Sequence, residues 1–135
     1  MFSHLTLGTN DLDVAVTFYD PVLAFAGVQR KDVRSGRRWG VWAEPGGNRP
    51  FLIITEPLNG ATATAGNGQM AAFLMPGPRE VDAAWAKAVE LGAEDAGAPG
   101  SRPEYHPGFY GAYVKDLDGN KLCFCSHDDD RKGLA

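Results

Sequence analysis

Apolar and polar residues alternate along this chain in short runs, and most runs stop at a glycine or a proline. His4-Leu5-Thr6-Leu7 sets Leu5 and Leu7 on one face and His4 and Thr6 on the other, the period-two pattern of a half-buried strand. Gly8-Thr9-Asn10 breaks it. Asn10 can cap a helix, and Asp11 and Asp13 fall in a first turn, where carboxylates suit the helix dipole. Val14, Val16, Phe18, Leu23 and Phe25 supply apolar side chains; Pro21 should kink this helix or start a fresh turn, and Gly27 ends it. Val28 to Val33 and Arg38 to Ala43 read as strands around a Ser35-Gly36 hairpin signal. After the loop Pro45 to Pro50, Phe51 to Thr55 is a β-prone run.

The pattern then repeats. Pro57 to Gly68 is small and polar and reads as a surface linker. Met70 to Met75 is a strand, and Pro78 suits the first turn of a helix that carries Val81, Ala84, Trp85, Ala88 and Leu91 at helical spacing. Gly92 stops it. A short strand is expected within Ala93 to Gly97, then a long loop from Pro99 to Gly108. Phe109 to Val114 and Lys121 to Ser126 are strands joined by a tight Asp118-Gly119 turn. Two β-α-β-β-β orders in tandem predict an α+β fold, with modules at residues 1–57 and 68–126 of one domain and a tail at 127–135. An echo supports duplication: Leu7 and Phe73 stand 66 residues apart, and Val14/Val81 and Phe18/Trp85 stand 67 apart.

Composition changes this picture little. A chain of 135 residues is long enough for one domain with a core, and a formal net charge of -4 gives no general attraction for nucleic acid or anionic lipid. No apolar run approaches the roughly 20 residues that span a bilayer, and the N-terminus lacks the pattern of a signal peptide. A cytoplasmic protein is expected. Cys123 and Cys125 lie two apart on a strand, too far for an unstrained bridge, and are expected as reduced thiols.

Several segments together resemble the vicinal oxygen chelate superfamily, which includes glyoxalases, bleomycin-resistance proteins and extradiol dioxygenases. They are His4-Leu5-Thr6-Leu7, Val16-Thr17-Phe18-Tyr19-Asp20, Gly66-Asn67-Gly68 and, most specifically, the closing run from Phe109 to Asn120. The resemblance covers about residues 2 to 126. It implies paired curved sheets around a groove, and a homodimer.

It also implies a divalent metal in that groove, with ligands at positions that fall here on His4, Ile53, Met70 and Cys123. Only His4 keeps the usual ligand type. Glyoxalase isomerisation and dioxygenase chemistry both need carboxylate or imidazole donors that these positions lack. Glu56 would reach such a site only if its strand bulged or ended there. His4, Met70 and Cys123 would form a softer set suited to Cu(I) or Zn(II); apolar lining is the alternative for the last two. His106 and Tyr110, near the expected groove mouth, are candidates for a proton donor or substrate contact, and His127 could reach the groove end. Trp39, Trp42, Phe51 and Tyr110 are candidate aromatic walls, beside Ile53, Met70 and Cys123 as ligand-binding positions. Arg34, Arg37 and Arg38 could meet an anion or simply be a solvated turn. The expected function is therefore a small-molecule binder with a degenerate metal site. The alternative is a metal-dependent lyase, isomerase or dioxygenase using His4 and an atypical ligand set.

Overall fold

The computed structural model describes residues 1–31 and 38–127. Its elements are β1 (His4–Gly8), α1 (Leu12–Leu23), β2 (Gln29–Lys31), β3 (Trp39–Ala43), β4 (Phe51–Thr55), β5 (Ala71–Leu74), α2 (Pro78–Glu90), β6 (Glu94–Ser101), β7 (Phe109–Lys115) and β8 (Lys121–His127). They form two four-stranded mixed sheets, ordered β1-β4-β3-β2 and β5-β8-β7-β6. In each, the strand that precedes the helix pairs in parallel with the last strand of its module, and the remaining pairs are antiparallel. The two modules are therefore topological copies, and the fold is α+β.

Each sheet presents one face to the helices. Register fixes which, because side chains alternate with period two. In the first sheet Leu7 pairs with Ile54 and Trp42 with Leu52, and these sides pack under α1. In the second, Phe73 pairs with Phe124, which faces Ala112 across β7, while Val114 faces Leu122. Phe18, Tyr19, Val22 and Leu23 of α1 join Val81, Ala84 and Ala88 of α2 in one core with both sheets. Each fully buried large side chain contributes about 1.5–3 kcal/mol.

Several boundaries differ from the sequence reading. Asp11, not Asn10, caps α1, accepting from the Val14 N–H at 3.2 Å. Asn10 instead pins the linker, its Oδ1 accepting from the Ala63 N–H at 2.7 Å. Pro21 stays within α1, which then tightens into a 3₁₀ turn, Ala24–Ala26, closed by Gly27 in the left-handed region. Strand β6 runs on to Ser101 through the residues expected as loop. It is an edge strand with register shifts on either side of Gly97, where a proline such as Pro99 costs little pairing. The sequence echo holds in environment for Leu7 and Phe73, which both pack on the core; Val81 is buried, whereas Val14 is exposed. The Ser35-Gly36 hairpin, Arg34, Arg37 and the tail beyond His127 lie outside the described residues.

A polar clamp ties the modules together. The turn between β7 and β8 meets the segment after β1. Asp118 accepts from the Thr9 hydroxyl at 2.6 Å and the Asn10 N–H at 2.9 Å, while Asn120 Nδ2 donates to the Gly8 carbonyl at 2.9 Å. Behind it, buried Asp116 accepts from the Asp118 N–H, the Asn120 N–H and Asn120 Nδ2, and from the Tyr19 hydroxyl of α1. Burial, reinforced by Asp116, raises the Tyr19 phenol well above its ordinary value, so it remains a donor.

Removing the acceptor leaves buried donors unpaired, at roughly 1–3 kcal/mol each. Asp116→Ala should therefore lower stability by about 3 kcal/mol or more, and Tyr19→Phe by about 1–2 kcal/mol, read from urea midpoints. A loss below about 0.5 kcal/mol for Asp116→Ala would remove the clamp from the account of stability.

Candidate functional site

The faces turned away from the helices hold the candidate chemistry. On the first sheet His4 pairs with Phe51, and Ile53 lies between Thr6 and Val41, so His4, Phe51 and Ile53 share this open face. Lys31 Nζ sits 4.6 Å and the Arg49 guanidinium 4.3 Å from the Phe51 ring centroid, two cation–π contacts. Arg49 Nη1 also donates to Ser3 Oγ at 2.9 Å, and that oxygen lies 2.9 Å from His4 Nδ1. His4 is exposed on the edge strand.

On the second sheet, Cys123 pairs with Ala72 and Tyr113, and Cys125 with Leu74 and Gly111. Both cysteines and His127 therefore project to the face away from the helices, where the two sulfurs are nonetheless buried, and Met70, about half exposed, immediately precedes β5. Burial and the two neighbouring sulfur and phenol groups hold the Tyr113 hydroxyl protonated. The adjacent Cys125 sulfur and burial likewise keep Cys123 a thiol. Cys125 is the acidic partner, lowered to about 6 first by the Cys123 thiol and then by His127, against its burial.

Four anticipated residues sit elsewhere than on these faces. Trp42 is a core residue rather than a wall: it is 1% exposed on the helix-facing side, with its indole N–H donating to Asp20 at 2.9 Å. Tyr110 also faces the helix side, its hydroxyl donating to Asp82 at 2.6 Å, which raises its pKa. Glu56 follows the end of β4, but its Oε2 accepts from the Leu12 N–H at 3.1 Å and from Arg38 at 3.3 Å. It neutralises the start of α1 instead of turning to the open face. Arg38 also lies 3.6 Å from Asp13, so it serves ion pairs. His106, in contrast, reaches the open face of the second sheet, with Nε2 2.8 Å from His127 Nδ1.

Among the described residues, the donor set at the expected positions is a poor match for a catalytic divalent ion. Of the four positions at which the family resemblance puts ligands, Ile53 has no donor and Met70 and Cys123 are soft sulfur groups. Among the described residues no three His, Cys, Asp or Glu side chains are grouped to hold an ion. A cavity of about 490 Å³ opens elsewhere, between the start of α1 and β2–β3, lined in part by Leu12, Val16, Arg30, Lys31 and Trp39. Apart from Trp39, it uses none of the anticipated groove residues. No described helix is long and apolar enough to cross a membrane.

Glu56 has a depressed pKa, held down first by the Leu12 N–H and then by Arg38. Its contribution to stability is present above the unfolded carboxylate value of about 4.3 and is lost as pH falls through the lower folded value. Thermal unfolding scans from pH 5 down to about pH 2 should therefore show a steeper acid decline in the wild type than in Glu56→Gln. Parallel declines would show that the carboxylate is not engaged at the helix start.

Comparison with known proteins places these features. The family model for the Glyoxalase/Bleomycin resistance protein/Dioxygenase superfamily matches residues 1–124. The crystal structure of a glyoxalase/bleomycin resistance protein from Albidiferax ferrireducens is 35% identical, covering 94% of this chain and 99% of that one, with a TM-score of 0.83. A hypothetical protein from S. aureus is 25% identical over 93% of this chain and 91% of its own, with a TM-score of 0.67. A glyoxalase-related enzyme from Fulvimarina pelagi shares the fold at 20% identity, over 94% of this chain and 88% of that one, with a TM-score of 0.71. No curated protein matches.

Proposed function

Since the chain belongs to the Glyoxalase/Bleomycin resistance protein/Dioxygenase superfamily, we propose that it binds a small apolar or aromatic molecule in a groove between its sheets, without a catalytic divalent ion. The observation that carries this reading is the donor set. His4 is the single conventional ligand type at the four family positions, and Glu56, the carboxylate just after β4, is held at the start of α1. Metal-assisted isomerisation needs a carbonyl held on an ion beside a carboxylate base; these positions offer a hydrocarbon, a thioether and a thiol. Such groups suit apolar contact. Phe51 adds a ring, with Lys31 and Arg49 beside it as polar anchors.

The groove of this reading is completed by a second copy of the chain. Strands β1 and β5 are sheet edges, and both carry exposed apolar side chains, Leu5 at 45% and Leu74 at 68%. Phe2 and Met70 extend the same exposure. Exposed apolar edges of this kind are ordinarily covered. Two free thiols are consistent with a reducing cytoplasm as the compartment.

Elemental analysis of purified protein, with thermal shift against magnesium, manganese, zinc and copper(I), should find no stoichiometric metal and no stabilisation. Anilinonaphthalene sulfonate, as a first flat aromatic probe, should bind the folded dimer. Ile53→Lys should weaken that binding about tenfold or more, equivalent to roughly 1.4 kcal/mol. Leu74→Glu should shift sedimentation from dimer to monomer. A stoichiometric ion whose removal abolishes turnover would replace this reading with a metal-dependent lyase, isomerase or dioxygenase built on His4.

A further inference from the structure

Beyond ligand binding, and independent of it, the second sheet carries a hydrogen-bond relay that ends on a sulfur. Its direction is fixed by the backbone. The Gly108 N–H donates to His106 Nδ1 at 3.2 Å, so that nitrogen must be the acceptor and His106 carries its proton on Nε2. His106 Nε2 therefore donates to His127 Nδ1, 2.8 Å away. His127 Nδ1 is then an acceptor as well, and the His127 proton lies on Nε2, which faces Cys125 Sγ at 3.5 Å. The sulfur thus receives an N–H, while its own proton is directed at the Phe73 carbonyl at 3.8 Å.

Aromatic packing holds the relay in place. The His106 and His127 ring planes are 30° apart with centroids 5.1 Å apart, an edge-to-edge arrangement that suits their N–H···N bond, and Phe109 meets both edge-on at 5.7 and 5.2 Å. Phe109 lies over Gly111, the cross-strand neighbour of Cys125: a Cβ at Gly111 would fall 2.7 Å from the ring. A side chain there would push the ring off the two histidines. Among the described residues, the ionisable groups in contact with Cys125 or with its histidine are Cys123 and His127 on β8 and His106 on the loop before β7. Tyr113 stands one step further, opposite Cys123, with Arg102 and Lys121 near its ring. Strand β5 brings none.

We propose that Cys125 is a peroxide-reactive thiol whose oxidation is promoted by the His106–His127 relay. The sulfur lone pair attacks one peroxide oxygen and the O–O bond breaks. An S–O bond forms, and the departing hydroxide takes the thiol proton as water. Cys125–SH and a hydroperoxide thus give the sulfenic acid and water (or alcohol), with sulfur oxidised by two electrons and the peroxide reduced. The donated N–H stabilises negative charge on sulfur as its proton leaves. A residue only 4% exposed selects a very small oxidant such as hydrogen peroxide. Cys123, two residues along the same face, lacks this donor and is too far along the strand to close an unstrained disulfide. The product is therefore a sulfenic acid rather than a disulfide.

The test treats the full-length protein with a few equivalents of hydrogen peroxide for timed intervals, removes the peroxide, unfolds the protein in dimedone so that the buried sulfur is reached, and locates the sulfenic-acid adduct by peptide mass spectrometry. The expected result is one adduct, at Cys125, persisting in Cys123→Ser and absent in Cys125→Ser. His106→Ala, which does not touch the sulfur, should slow trapping about tenfold, and His106→Gln, whose amide N–H can still donate to His127, should restore most of the rate. Circular dichroism identifies any variant that has failed to fold, and the His106→Gln comparison then decides. Adducts at Cys123, no adduct at either thiol, or equal rates in wild type and His106→Ala would each overturn the proposal.

Discussion

The fold depends on a turn that is shared between its two halves. Asp116, Asp118 and Asn120 close the hairpin between the last two strands, yet their side chains also bond Gly8, Thr9, Asn10 and Tyr19 of the first module. Two sheets that do not pair edge to edge need some other means of registering one against the other. Packing between α1 and α2 supplies area, but apolar contact is non-directional. The carboxylates supply direction, because a buried acceptor left unmatched costs more than a matched one returns. Within this arrangement, each sheet keeps one face for the core and leaves the other open.

That division decides what chemistry is available. The pleat sends alternate residues to opposite faces, so each strand has one set of side chains for stability and another for function. Trp42 and Tyr110 fall in the first set, and Phe51, Ile53, Cys123, Cys125 and His127 in the second. The carboxylates follow the same economy: Asp116, Asp118 and Glu56 are all committed to backbone N–H groups at turns or a helix start. Among the described residues, sulfur and imidazole side chains are among those turned to the faces away from the helices.

Much of the architecture was legible in the sequence because period is a local property. The alternation in His4–Leu7, the helical spacing of Val81, Ala84 and Ala88, and the Asp118-Gly119 turn each announce an element without reference to the rest of the chain. The side taken by Trp42 is hidden because an aromatic in a strand reads alike on either face; the register against Leu52 turns it inward. Asn10 and Asp11 are both good caps, and only the pull of Ala63 on Asn10 separates them. The extended β6 was hidden by Pro99 and Gly100, which break a central strand but are tolerated in a bulged edge. The relay could be half seen: Cys125 and His127 two apart on a strand must share a face. That His106 joins them depends on a loop whose course no periodicity encodes.

The tautomers of that relay follow from backbone geometry. A surface histidine chooses its tautomer from solvent, and a neighbouring thiol then meets a donor or an acceptor indifferently. Here the choice is made at Gly108, whose N–H has a fixed direction, and it passes through two rings to the sulfur. Activation of the thiol in this chain is then a consequence of where a glycine follows His106-Pro107, three elements of geometry removed from the atom that reacts.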